Sequence, residues 1–186
     1  MDALDASAKR VVELVGQVGP DQWSNATPCT EWNVRVLVGH LIASMQGMCE
    51  LLKGAPVTMY ISMLDRQGQA AATDPVVTCD DAVRSVRAAF AEPGVLERTV
   101  HHAVDIPGSQ LLVFRINDNV IHSWDLATAI GADLGLDERV VEFVYGHLAP
   151  RAQSGVLYAT GWISAPSRPL PEGATSLERL IHLVGR

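Results

Sequence analysis

The chain has 186 residues, a formal net charge of −7 and 48% hydrophobic residues. This length suffices for one globular domain with a core, or for one domain with a small appendage. No stretch is rich in lysine and arginine, so the sequence predicts neither a nucleic-acid-binding surface nor an anionic membrane partner.

The amino-terminal residues are acidic and amphipathic, which is not the pattern of a signal peptide. No window reaches about 18 consecutive apolar residues, so no membrane span is predicted. The three cysteines, Cys29, Cys49 and Cys79, lack CxxC spacing, and their odd number argues against a disulfide framework or a cysteine zinc cage. Together these features predict a cytoplasmic protein.

The first half of the chain is predicted to be mostly helical. Apolar residues spaced by three and four predict a helix over 3–18, and a more strongly periodic helix after Asn33, which is a favourable N-cap. A short helix is predicted near 59–71. A further helix is predicted to begin at Cys79 or Asp80.

The second half contains one valine-rich interruption, residues 95–108, which is predicted as a short hairpin or an extended crossover. Helices are predicted over 109–130 and over 137–149, the latter ending before Pro150. The following proline-rich stretch is predicted as loop, and the last helix as starting with Ser176 as its N-cap. This pattern favours an all-α helical bundle with a long crossover.

The helix predicted over 109–130 carries a polar stripe. Arg115, Asp118, His122 and Asp125 fall within about 80° of one another on a helical wheel. One interpretation is a solvated face with weak local ion pairs. The other is half of a metal site, because Asp118 and His122 are four residues apart and point the same way. The spacing alone leaves both interpretations open.

Other candidates lie nearer the amino terminus. His40, on the flank of the apolar stripe of the second helix, is the natural third metal ligand. Gly39 is costly in a helix interior and would permit close approach of another helix or a ligand. Cys29 is interpreted as a packed small hydrophobe, and Trp32 as an anchor of its loop. Motifs of nucleophile elbows, P-loops and dinucleotide-binding folds are missing from the sequence.

Two stretches together carry a family resemblance: ATPCTEWNVRVLVGHLIAS over 26–44 and RINDNVIHSWDLATAIG over 115–131. They resemble the DinB-like, mycothiol-dependent maleylpyruvate isomerase superfamily of actinobacterial metal-binding proteins. That family shows T-P-C-x-x-W before a helix with His-Leu, and later an acidic residue four positions before H-x-W-D-L-A. The resemblance implies a DinB-like four-helix bundle as a metal-binding domain over 1–150, with a small C-terminal extension over 151–186.

The resemblance also implies the metal ligands, which are His40, Asp118 and His122. Where Asp118 stands, the isomerase branch usually has glutamate, so the metal would sit closer to the backbone or bind through water. Two histidines and one carboxylate leave open coordination positions, as catalytic zinc sites do, and nickel is the alternative metal. Arg115 is a candidate to orient an anionic group or to pair with Asp118, and Asp125 to support His122 as a neighbouring partner.

The function that the resemblance implies is activation of a small thiol such as mycothiol, whose thiolate adds to a small electrophilic substrate. Isomerisation of a cis-enedioic acid, or thiol S-transfer, would follow. Two alternatives stay open: a non-catalytic module that binds a metal or small ligand, and a structural helical bundle without metal. The expected partners are the thiol and the substrate, with no nucleic acid or membrane, and the protein is expected to be a monomer or homodimer.

Overall fold

A computed structural model describes residues 1–159, 161 and 163–186. Its first compact unit, Met1–Gly135, contains six helices: Asp2–Val15 (α1), Val34–Leu52 (α2), Val57–Leu64 (α3), Gln67–Ala70 (α4), Pro75–Phe90 (α5) and Gly108–Ile130 (α6). Both α1 and α2 pack against α5 and against α6, so these four long helices form the bundle. The predicted all-α, DinB-like four-helix bundle is therefore confirmed. The segment with α3 and α4 connects α2 to α5 and packs on α2.

A short hairpin connects α5 to α6. Its strands, Thr99–His101 (β1) and Asp105–Pro107 (β2), are antiparallel, and Val100 lies opposite Ile106. Val100 is buried, whereas both neighbours of it in β1 are exposed, which is the alternation of a strand with one face on the core. Of the two forms predicted for this valine-rich stretch, the structure has the hairpin.

The core of the bundle consists of the apolar stripes that define the helices in the sequence. Residues at three- and four-residue spacing turn one face of each helix inward, and burial of this face stabilises the bundle. Fully buried examples are Leu4, Val11 and Leu14 of α1, Leu37, Leu41 and Met45 of α2, and Leu111, Val120 and Leu126 of α6.

The second compact unit is Leu136–Arg186. It contains Glu138–Gln153 (α7), a 3₁₀ turn at Val156–Tyr158 and Ser176–Leu183 (α8), and α7 packs against both other elements. The contacts thus group α7 with α8, whereas the sequence prediction kept α7 with the bundle. The division into domains at 150 and 151 stays a prediction. In the described part of the chain, no helix has the length and apolar character needed to cross a membrane.

Two helix boundaries differ from the predictions, and in both cases a proline lies inside the helix and not outside it. The start predicted at Cys79 or Asp80 is wrong, since α5 begins at Pro75. The fixed φ of proline suits the first helical position, and the side chain of the N-cap residue Asp74 accepts a hydrogen bond from the Val77 amide. The end predicted before Pro150 is also wrong. Helix α7 includes that proline and runs on for three residues, at the cost of one hydrogen bond.

Smaller differences follow from local capping. The N-cap of α8 is Thr175 and not Ser176, because Thr175 forms a reciprocal capping box with Glu178. The first helix ends at Val15, three residues earlier than predicted. Asn33 is the N-cap of α2 as predicted, and its side chain accepts a hydrogen bond from the Val36 amide.

Candidate metal centre

The polar stripe of α6 faces into the bundle. Arg115 and Asp125 are fully buried, His122 is 9% exposed and the Asp118 side chain 23% exposed. Three of the four residues of this face are therefore at least nine-tenths buried, and α6 packs against α1 and α2. The interpretation as a solvated face is therefore wrong.

His40, Asp118 and His122 come together between α2 and α6. The Asp118 Oδ1 atom lies 3.5 Å from His40 Nε2 and 3.2 Å from His122 Nε2, and the three ligand atoms are all within 4.8 Å of one another. Ligand atoms about 3.3 Å apart are what a tetrahedral ion with zinc-like bond lengths requires. The spacing therefore fits a divalent ion. We call these three residues the outer cluster.

Each histidine of the outer cluster is held by its other ring nitrogen. His40 Nδ1 lies 3.1 Å from Gln67 Oε1, and His122 Nδ1 lies 2.9 Å from Asp125 Oδ2. Both partner atoms are acceptors, so each Nδ1–H donates and each Nε2 is directed toward Asp118. Such supporting bonds fix the tautomer and ring orientation of metal-binding histidines.

The second carboxylate oxygen of Asp118 is bound on the side away from the histidines. Arg115 donates to Asp118 Oδ2 through Nη2, and Ser44 Oγ donates to the same oxygen at 3.4 Å. Arg115 also donates to Ser44 at 2.9 Å. Burial alone would raise the pKa of Asp118, but the Arg115 guanidinium and the two imidazoles hold it well below its usual range. Asp118 therefore presents one ionised oxygen, Oδ1, to the histidines.

The electrostatic surroundings of His122 act in the opposite sense. Burial would lower the pKa of its imidazole, but Asp118, followed by the hydrogen bonds of Asp125 and Cys29, raises this pKa well above the usual value. The ring lies between two carboxylates, one at each nitrogen. A metal at Nε2 would take the place of the proton there, so binding would release a proton.

Trp32 forms a wall of the site. Its ring centroid lies 4.7 Å from that of His40 and 5.8 Å from that of His122. The loop that carries it is fixed by hydrogen bonds from Thr27 N to the Trp32 carbonyl at 3.2 Å and from Trp32 N to the Cys29 carbonyl at 3.0 Å. Trp32 was expected to anchor this loop, and it does so by packing on the histidine pair.

Gly39 permits the close approach that its position predicted. A Cβ added at Gly39 would overlap the carbonyl oxygen of Gln67 and lie 2.8 Å from its carbonyl carbon. Only glycine allows the α4 backbone to lie this close to α2. This contact brings Gln67 next to His40.

Sequence reasoning missed three residues of the site. Cys29 is 8% exposed, but its Sγ lies 3.1 Å from Asp125 Oδ2 and 3.8 Å from His122 Nδ1, so it is more than a packed hydrophobe. The T-P-C-x-x-W segment was the available signal for it. Ser44 lies one turn after His40, so helical spacing could have indicated it. No sequence signal pointed to Gln67.

The fold defines the chain as a DinB-like helical-bundle protein. The profile of the family described as "Mycothiol maleylpyruvate isomerase N-terminal domain" matches residues 4–127. The chain belongs to this family. The match ends inside α6, after His122 and Asp125, and so includes every residue of the site.

Similar proteins come from Mycobacterium tuberculosis. Two proteins from two strains, both described as uncharacterized, are 28% identical to the chain over 177 residues, which is 93% of this chain and 90% of the relative.

Two solved structures are also similar. The crystal structure of the mycothiol-dependent maleylpyruvate isomerase has a TM-score of 0.66 at 13% identity, and a histidine-to-alanine mutant of it has 0.67 at 14%. Each match covers 83% of this chain and 70% of the chain in the solved structure. These likenesses show a shared fold.

Proposed function

We propose that the chain binds one divalent metal ion through His40, Asp118 and His122 and acts on a low-molecular-weight thiol such as mycothiol. The thiol would add to a small electrophilic substrate, leading to isomerisation or to S-transfer. The observation that carries this proposal is the outer cluster, in which Asp118 Oδ1 lies 3.5 Å and 3.2 Å from two histidine Nε2 atoms. Membership of the isomerase family supports the choice of thiol.

Bound there, a divalent ion would supply Lewis acidity that lowers the pKa of a coordinated thiol. Zinc is the first choice for two histidines and one carboxylate, and nickel is the alternative. The residues of the chain prepare the donor atoms. Gln67 and Asp125 orient the two imidazoles, and Arg115 leaves a single oxygen of Asp118 facing them.

The shorter side chain of Asp118, where the resemblance leads one to expect glutamate, is compatible with this role. From α6, its Oδ1 comes within hydrogen-bonding or ligand distance of both histidines, one on α2 and one a turn further along α6. Arg115 and Ser44 hold its other oxygen. We infer that Asp118 serves as a ligand through one oxygen, with the ion close to the α6 backbone.

The first test is the metal content of protein purified without chelators or added metal. We expect close to one divalent ion per chain by elemental analysis, and loss of this ion in His40→Ala and in His122→Ala. His101→Ala is the matched control, because His101 lies exposed in the hairpin next to Asp105, and it should keep the metal. A wild-type chain that stays empty even after zinc is offered would rule out the metal role.

The same variants provide the test of turnover. With mycothiol and maleylpyruvate, the pair named for the structural relatives, we expect isomerisation by the wild type and by His101→Ala. We expect loss of the activity in His40→Ala. A metal-binding chain that turns over neither this substrate nor another electrophile with a thiol would be a binding module.

Asp125 provides a second test of the supporting bonds. Asp125→Asn replaces the carboxylate at His122 Nδ1 with a neutral amide, so we expect metal affinity to fall about 10- to 100-fold. Competition with a chromophoric chelator measures this change. Asp105→Asn, beside the exposed His101, is the control and should bind as the wild type does. Equal affinity for the two variants would mean that Asp125 does not support the ligand.

A further inference from the structure

A second set of ligand atoms lies on the opposite edge of the His122 ring. Cys29 Sγ, His122 Nδ1 and Asp125 Oδ2 all lie within 4.8 Å of one another. Their separations are 3.8 Å from sulfur to nitrogen, 3.1 Å from sulfur to oxygen and 2.9 Å from nitrogen to oxygen. We call these three residues the inner cluster.

The inner cluster has the dimensions of a metal site. A tetrahedral ion with zinc-like bonds to sulfur, nitrogen and oxygen needs ligand atoms about 3.3–3.6 Å apart, and each measured separation is within about 0.5 Å of this range. All three residues are at least nine-tenths buried. Hydrogen bonds fix the loop that carries Cys29, and Asp125 lies three residues after His122 on one face of α6. The ligands are therefore held from two separate elements.

The donor atoms of the inner cluster differ in kind from those of the outer cluster. The outer cluster offers two imidazole nitrogens and one oxygen, whereas the inner cluster adds a sulfur, which is the donor that thiophilic ions prefer. The two clusters share His122. In a neutral imidazole, only one of the two ring nitrogens has a lone pair available to a metal. His122 can therefore serve as a ligand in only one of the two clusters at a time.

We propose that Cys29, His122 and Asp125 form a second metal site, for a thiophilic divalent ion, which excludes metal from the outer cluster when it is filled. Binding forms an Sγ–metal and an Nδ1–metal bond, breaks the S–H bond of Cys29 and the Nδ1–H bond of His122, and releases both protons to solvent, with no change in oxidation state. The inner site itself does not depend on the proposed function, because neither His40 nor Asp118 belongs to the inner cluster, whereas the exclusion of metal from the outer cluster rests on the proposed function.

The test is a cadmium titration of His40→Ala, which removes a ligand of the outer cluster only. We expect the ultraviolet thiolate-to-cadmium charge-transfer absorption to appear and to saturate at one ion per chain. The double variant Cys29→Ser/His40→Ala should lack this absorption. Circular dichroism of each variant verifies the fold, and Cys29→Ala is the second choice if serine at position 29 unfolds the chain.

The other two cysteines provide matched controls. Both are buried, and in the described part of the chain neither Cys49 nor Cys79 belongs to a group of three possible metal ligands. Cys79→Ser/His40→Ala should therefore retain the full absorption of His40→Ala. Absorption that survives in Cys29→Ser/His40→Ala would overturn the assignment of the sulfur ligand.

Two further outcomes would also overturn the proposal. No absorption in His40→Ala would mean that Cys29 only donates a hydrogen bond to Asp125. Two cadmium ions per wild-type chain would overturn the mutual exclusion. A wild type that binds no zinc, together with a normal titration of His40→Ala, would overturn the proposed function and leave the inner site standing.

Discussion

Replacement of Arg115 by methionine is expected to lower the free energy of unfolding by about 3 kcal/mol or more, in the range typical of broken buried ion pairs. Arg115 is fully buried and donates to Asp118 and Ser44, so its loss leaves a carboxylate of low exposure without its main counter-charge. Chemical denaturation followed by circular dichroism at neutral pH measures this change.

Two controls separate the charge from the packing. Arg84→Met removes an exposed arginine that pairs with Asp80 and Asp81 on α5, and its effect should stay within about 0.5 kcal/mol. Arg115→Met/Asp118→Leu removes both buried charges together and should recover most of the lost stability. A double variant as unstable as the single one would show that methionine fits the site poorly, and that charge is not the cause.

Replacement of Gly39 by alanine is expected to lower stability by about 1–3 kcal/mol, the usual cost of overpacking, although alanine favours helices. The added Cβ overlaps the Gln67 carbonyl, so α4 must move away from α2. Since Gln67 orients His40, metal affinity should fall as well, by about tenfold or more. Denaturation and chelator competition on one preparation measure both effects.

Gly146 offers the matched control for this substitution. It lies inside α7, and a Cβ added there would have no neighbour within 4 Å. Gly146→Ala should therefore stabilise the chain by roughly 0.5–1 kcal/mol through helix propensity alone. If Gly39→Ala also stabilises, α4 adapts freely and the close packing against α2 has no role in the site.

The parts of the fold that could be predicted are those encoded by local periodicity. The apolar spacing of α2 and α6 and the Asn33 cap depend on residues within one or two helical turns, and these elements occur where the sequence places them. The early start of α5 at Pro75 and the passage of α7 through Pro150 depend on how a proline is accommodated. The hydrophobic pattern does not contain that information.

The same limit applies to the site. Spacing within α6 predicted that Asp118 and His122 point the same way, because a helix fixes their relative direction. Spacing could not show whether that face is buried, which depends on the packing of α6 against α1 and α2. Cys29 and Gln67 reach the histidines from a loop and from a short helix, so their roles follow from contacts between distant segments.

The buried stripe of α6 has a charge pattern that affects how this sequence can change. Along one helix face, the side chains alternate in sign as Arg115, Asp118, His122 and Asp125, and each touches the next. With His122 protonated, the formal charges of this row sum to zero, so four ionisable groups can share a largely buried face. Evolutionary changes that remove a charge at these positions should therefore occur in adjacent pairs of opposite sign, since the loss of one charge alone leaves the row with a net charge.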